Sequence, residues 1–144
     1  MAGNSVLQEV SLSLPMDAGM ELTACETAGS VAEAMSMSPD KIDEVRQAVV
    51  EAFINAVEYS HAEDKMVHLS VAVVGDREPE KLMVTIRDHG RGFDPTRIEK
   101  PSIADKLKSQ HKRGWGLTII EGLMDEVTIQ SSDHGTTVVM CKAR

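Results

Sequence analysis

The segment SPDKIDEVRQAVVEAFINAVEY, residues 38–59, constrains this chain more than any other stretch. Ser38 is placed as an N-cap and Pro39 as the first helical residue, where a missing N–H costs nothing. Asp40 follows in the first turn, against the positive end of the helix dipole. At 100° per residue Ile42, Val45, Val49, Ala52, Phe53 and Ala56 share one broad apolar face, so a helix running to about Tyr59 must be covered along that side. The other side carries Glu44, Glu51, Asn55 and Glu58. Asn is a poor mid-helix residue, costing about half a kcal/mol relative to Ala. On this helix alone the polar stripe reads most economically as a solvated face. The alternative is that Glu51 and Asn55, one turn apart, point into a pocket. There an amide oxygen suits Mg²⁺ and a carboxylate can take a proton.

The flanking patterns say what covers the helix. VLQEVSLSL (6–14) alternates as a half-buried strand does, and Pro15 ends it. Residues 17–37 are rich in helix formers, weakened by Thr23, Thr27 and Gly29. MVHLSVAVVGD (66–76) and KLMVTIRD (81–88) read as an antiparallel hairpin turned by REPE. A basic, glycine-containing and poorly periodic stretch runs from Gly90 to Gly114, longer than a purely structural connector needs to be. GLTIIEGLMDE reads as a short helix, and VTIQSS, DHG and TTVVMCK as strand, turn and strand. This order predicts an α+β two-layer sandwich, with a mixed, mostly antiparallel sheet and the helices on one face.

A chain of 144 residues is enough for one domain spanning 1–144, burying about 70% of its unfolded surface. No stretch approaches the roughly 20 apolar residues of a membrane span, and MAGNSVLQEV lacks the features of a secretory signal, so a cytoplasmic location without membrane attachment is expected. Cys25 and Cys141 are far apart and read as small apolar residues in a reducing compartment. The net charge of −8 argues against direct nucleic-acid binding, which requires Lys and Arg to neutralise phosphates. Yet Arg97, Lys100, Lys106, Lys108, Lys112 and Arg113 crowd one segment, where a small anion can be met.

Two further motifs carry candidate chemistry. In RDHGRGFDP (87–95) the carboxylate of Asp88 ends a strand, and Gly90 and Gly92 let backbone approach a flat ring; a β-turn using Asp and Gly in their ordinary roles is the competing reading. In KRGWGLTII (112–120), Gly114 and Gly116 precede a helix after two cations, which makes a phosphate cradle or simply a glycine-bearing helix start. Neither the GxxxxGK[ST] pattern nor a strand-led GxGxxG is present.

The Asn-bearing helix, the DxGxG loop, the GxG at the next helix and HGTT near the C-terminus, in this order, resemble the Bergerat-fold, or GHKL, ATPases over nearly the whole chain. With GLTIIEGLMDEVTIQSSDHGTTV at its end the chain is similar to the stand-alone anti-sigma factor serine kinases of bacterial partner-switching systems. The resemblance implies an ATP- and Mg²⁺-dependent serine kinase that phosphorylates a STAS-type anti-anti-sigma protein, binds a sigma factor or another regulator, and forms a homodimer. It implies Glu51 as general base and Asn55 as Mg²⁺ ligand, with Asp88 reading the adenine amino group beside Gly90 and Gly92. Gly114 and Gly116 then hold phosphates, Lys112 or Arg113 neutralises charge from a lid over about 93–113, and Thr136, with Thr137, supports the adenine pocket. The alternative is a non-catalytic, ATP-gated module that sequesters a regulatory partner; a purely structural α/β domain is the plainest option.

One departure concerns partner choice. In these kinases the first helix commonly carries an arginine that grips the protein partners, whereas residues 17–37 hold no basic residue and Ala24 stands about where the arginine is expected. His61, His68, His89, His111 and His134 show no ligand spacing and are expected to be ordinary surface or satisfied histidines. Trp115 is expected to pack under the lid or in the core, and nine Met with few aromatics suggest an adaptable aliphatic core.

Overall fold

A computed structural model describes residues 5–59, 62–90 and 113–144, with the backbone alone for residues 59 and 113–116. The elements run β1 (Ser5–Pro15), α1 (Met20–Ala34), α2 (Pro39–Tyr59), β2 (Met66–Gly75), β3 (Pro79–Asp88), α3 (Arg113–Leu123), β4 (Glu126–Ser132) and β5 (Gly135–Ala143). The strands form one sheet in the order β1-β2-β3-β5-β4. A mixed sheet was the expectation, but every pairing among the described residues is antiparallel. The β2–β3 and β4–β5 connections are short hairpins, which impose that sense. The lid expected over 93–113 lies, apart from Arg113, outside the described residues.

Alternation along the strands sorts the two faces. Leu12, Val67, Leu69, Val71, Leu82, Val84, Ile86 and Met140 turn toward the helices and join Val45, Val49, Phe53 and Ile120 in a single core. The opposite face is mixed: Ser11, Ser13, His68, Ser70, Thr85, Arg87, Thr128 and Gln130 make much of it polar, and Ala72, Met83, Val139 and Cys141 form an apolar strip across it. The apolar face expected of α2 is the buried one, with Ala48 added to it. Ser38 caps the helix as its sequence predicts: the Lys41 N–H donates to Ser38 Oγ at 3.4 Å and the Ile42 N–H to Ser38 O at 2.9 Å.

Helix α1 is shorter at both ends than its composition suggests. Gly19, at φ 96°, bends the chain into the helix, a conformation glycine adopts without strain. At the other end Ser36 turns left-handed at φ 64°, and the Met37 N–H returns to Ala32 O at 3.1 Å. Ala24, Ala28 and Ala32 are completely buried at i, i+4 spacing, so small side chains line the packed side of the helix. The residues that weaken the helix have local uses. Thr27 Oγ1 donates to Thr23 O at 2.8 Å, and a Cβ at Gly29 lies 2.6 Å from Arg46 Nε, so glycine there lets Arg46 cross α1.

Helix α3 begins and ends three residues before the span its sequence suggests. The Asp125 N–H already donates to Cys141 O at 2.9 Å, which commits the chain to the sheet. Lys142, 6% exposed, holds this corner: its Nζ donates to Leu123 O at 2.5 Å, at the C-terminal end of α3, and to Glu44 Oε2 on α2 at 3.4 Å. Lys142→Ala leaves that carbonyl and carboxylate without their cation. Chemical denaturation should show a loss of about 1–3 kcal/mol, the usual worth of hydrogen bonds to a charged group. Burial pushes the thiols of Cys25 and Cys141 above their ordinary range, as suits cysteines used for packing.

Candidate functional site

A cavity opens between α2, α3 and the ends of β3 and β5. Ala52, Ala56, Ile86, Leu117, Ile120 and Val138 make its walls apolar, and Asn55, Asp88 and Thr136 are its polar groups. Few polar groups converging in an apolar slot is the usual construction of a small-molecule site. Three elements bring them together. Asp88 is the last residue of β3 and Thr136 its cross-strand partner on β5, and both face the helices. Asn55 descends from α2.

Each polar group is held from behind. Asp88 is 4% exposed, and its Oδ1 accepts the Gly90 N–H at 2.9 Å, which fixes the carboxylate. Thr136 is 6% exposed, and its hydroxyl pairs at 3.0 Å with that of Ser131, the residue opposite on β4. The second residue of the HGTT motif is what allows β5 to approach β3 here. Gly135 has φ 135°, and a Cβ on it lies 2.0 Å from the Asp88 carbonyl oxygen. The motif was visible in the sequence, but this role for Gly135 was not, because the residue it meets lies 47 positions away.

Asn55 differs from the other two. Its Nδ2 is buried and has no hydrogen-bond partner among the described residues. A buried amide left unpaired costs about 1–3 kcal/mol, so something outside these residues is expected to complete it. Rotating the amide by 180° exchanges its nitrogen and oxygen, so the same position can offer an oxygen to a hard cation. The residue therefore fits a Mg²⁺ ion that takes one protein oxygen and fills its other positions with phosphate and water.

The remaining candidates fall in three groups. Glu51 lies one turn along α2 from Asn55, but in a neighbouring groove with Arg46, Gln47, Val50 and Ile119. Thr137 is turned to the opposite face of the sheet, beside Arg87, Gln130 and His134. Gly114 and Gly116 lie within the first turn of α3 and do not precede it; there backbone N–H groups still lack intrahelical acceptors. Gly90 is placed against Asp88, the Arg113 side chain is not described, and Gly92 and Lys112 lie outside the described residues. Ala24, where an arginine was expected, is fully buried and has no surface for a larger side chain. Leu22, Thr23, Glu26, Ser30 and Glu33 form the exposed side of α1.

The model of the histidine kinase-like ATPase domain matches residues 16–142. The chain belongs to that family. Among named relatives of this ATPase domain is the anti-sigma F factor of Anoxybacillus flavithermus, 33% identical over 106 residues, 72% of this chain and 70% of the relative. The serine-protein kinase RsbW of Bacillus cereus is 27% identical over 139 residues, covering 94% of this chain and 84% of the relative. The fold recurs in the crystal structure of the RsbU and RsbW domains of Rv1364c from Mycobacterium tuberculosis. There the TM-score is 0.69 at 19% identity, over 95% of this chain and 33% of that one. The family implies use of ATP. No helix among the described residues is long and apolar enough to cross a membrane.

Proposed function

We propose that this ATPase domain is an ATP- and Mg²⁺-dependent serine protein kinase acting as an anti-sigma factor, with a STAS-type anti-anti-sigma protein as its substrate. The convergence of Asn55, Asp88 and Thr136 on one apolar cavity carries the reading, and the kinship to anti-sigma F factor and RsbW sets the reaction class. Asp88 and Thr136 hold the adenine at the sheet end. Asn55 faces the phosphates and would hold Mg²⁺, which supplies charge neutralisation at the transferring phosphoryl group. Glu51 lies a further turn, about 5.4 Å, along α2, where the incoming serine hydroxyl needs its proton removed. The first turn of α3 offers backbone N–H groups to phosphate, with Lys112 or Arg113 adding charge. Phosphoryl transfer asks mainly for such positioning and charge stabilisation.

The reading takes residues 1–144 as one domain with a lid over about 93–113, working as a cytoplasmic homodimer. The direct test is incubation of the chain with γ-labelled ATP, Mg²⁺ and candidate STAS proteins. Phosphoserine on the partner is expected, and absence of transfer to any cognate partner defeats the kinase. The separate groove of Glu51 favours a second reading, an ATP-gated module that sequesters a regulator without phosphoryl transfer.

Asn55→Ala bears on the nucleotide site under either reading. Calorimetry should show Mg²⁺-dependent ATP affinity reduced by about tenfold or more, since a charge-assisted contact is lost. The melting temperature of the nucleotide-free protein should hold or rise, because an amide with no partner among the described residues and an unfavourable helix residue are both removed.

A further inference from the structure

Three residues that the sequence leaves scattered come together behind the nucleotide cavity. Asp64 lies in the α2–β2 connection, His68 on the polar face of β2, and His89 between Asp88 and Gly90. One ligand atom from each lies within 4.8 Å of the other two. The imidazole rings of His68 and His89 are 4.8 Å apart between centroids.

Their hydrogen bonds hold the three side chains in place beside one another. His68 Nδ1 meets Ser13 Oγ at 2.8 Å, and with Nδ1–H as donor the lone pair stands on Nε2. That Nε2 is buried and has no partner among the described residues. Asp64 Oδ1 accepts the Met66 N–H at 3.1 Å, leaving Oδ2 3.2 Å from His89 Nδ1. Two ligands of one tetrahedral Zn²⁺, with bonds of roughly 2.0–2.1 Å, stand about 3.3 Å apart, so this pair already has the required separation. The His68 ligand nitrogen, within 4.8 Å of the other two ligand atoms, has to close by no more than about 1.5 Å, within reach of a side-chain adjustment. The Ser13 and Met66 contacts are the kind of outer-shell support that fixes the tautomer and orientation of metal ligands.

We propose that Asp64, His68 and His89 bind a late first-row divalent cation, with Zn²⁺ the best match, and water completing the coordination. Two imidazoles and one carboxylate suit that class and not Mg²⁺ or Ca²⁺, which prefer oxygen throughout. The site is distinct from the Mg²⁺ position at Asn55, since His68 stands on the opposite face of the sheet from Asp88. For the cation to take both atoms, any proton between His89 Nδ1 and Asp64 Oδ2 moves to His89 Nε2 or leaves to solvent. It also ties β2 and the α2–β2 connection to the turn whose Gly90 N–H holds Asp88.

The test uses untagged full-length protein, stripped with chelator and free of nucleotide. Calorimetric titration with Zn²⁺ alone should give one ion per chain, and Co²⁺ should give the visible absorption of a tetrahedral nitrogen–oxygen site. His89→Ala and Asp64→Asn replace side chains 44% and 41% exposed, so both variants should fold as judged by circular dichroism. Both should lose the Co²⁺ absorption and bind Zn²⁺ at least about tenfold more weakly, and Ser13→Ala should weaken it about tenfold through His68. His134→Ala should bind as wild type. Absence of stoichiometric Zn²⁺ binding, or unchanged binding in both ligand variants, overturns the proposal.

Discussion

Glu51→Ala is expected to leave ATP affinity within about a factor of two and to lower phosphoryl transfer by about 10²–10⁴-fold, the range for loss of a positioned general base. The asymmetry follows from geometry. Glu51 takes no part in the cavity that holds Asn55, Asp88 and Thr136, so its removal leaves the binding contacts in place. What it removes is a carboxylate in the groove beside Ile119 of α3, where the proposed mechanism brings the partner's hydroxyl. Single-turnover transfer to a cognate STAS protein and calorimetric ATP titration, run on the same preparation, separate the two effects. An equal fall in both assigns Glu51 to nucleotide or metal binding. Transfer at the wild-type rate removes it as the base.

The second large effect is structural. Gly135→Ala should lower stability by about 2–4 kcal/mol and weaken ATP binding along with it. The added methyl meets the Asp88 carbonyl oxygen at 2.0 Å, and backbone cannot rotate aside as a flexible side chain can. At φ 135° an L-residue is strained even in open space. Relief requires β5 to draw away from β3 at the position where Asp88 faces Thr136, so both damage and functional loss should concentrate there. Denaturant unfolding measures the first, and a thermal-shift titration with ATP and Mg²⁺ the second. Unchanged stability would mean that β5 can slide at little cost, and that Gly135 does not set the approach of the strands.

Local and periodic signals carried most of the fold. The cap at Ser38, the apolar stripe of α2 and the alternation in β1, β2 and β3 each report on neighbours within a few residues, and the structure follows them to within a few positions. Misplaced ends have non-local causes. Helix α3 ends at Leu123 because Cys141 takes up the chain and Lys142 caps the helix, and both lie far along the sequence. The site was legible in the same uneven way. Asn55, Asp88 and Thr136 lie in recognisable motifs and meet in space, whereas the direction of Thr137 depends on strand parity, which the HGTT pattern alone does not reveal. The same parity brings His68 beside His89, although 21 residues separate them. Ala24 shows the reverse error, since a position chosen by distance along a helix proves to face inward.

The strand order has a consequence for how a nucleotide can leave. Asp88 ends β3, the middle strand of five, paired on both sides, so amide exchange in this segment should require opening of the whole sheet. Among the described residues helix α3 lies outside the strand ladder, held through its buried Ile120 and the Lys142 contact to Leu123 O. It packs on α2 and joins β4, an edge strand, and its Ile119 is 40% exposed. Such a corner can fluctuate below the cost of global unfolding. If the nucleotide sits as proposed, its base-reading end belongs to the unit expected to exchange slowest, and its phosphate-facing end to one expected to exchange faster. On that placement product release would begin at the phosphates, while the cavity of Asp88 and Thr136 keeps its shape for the next nucleotide.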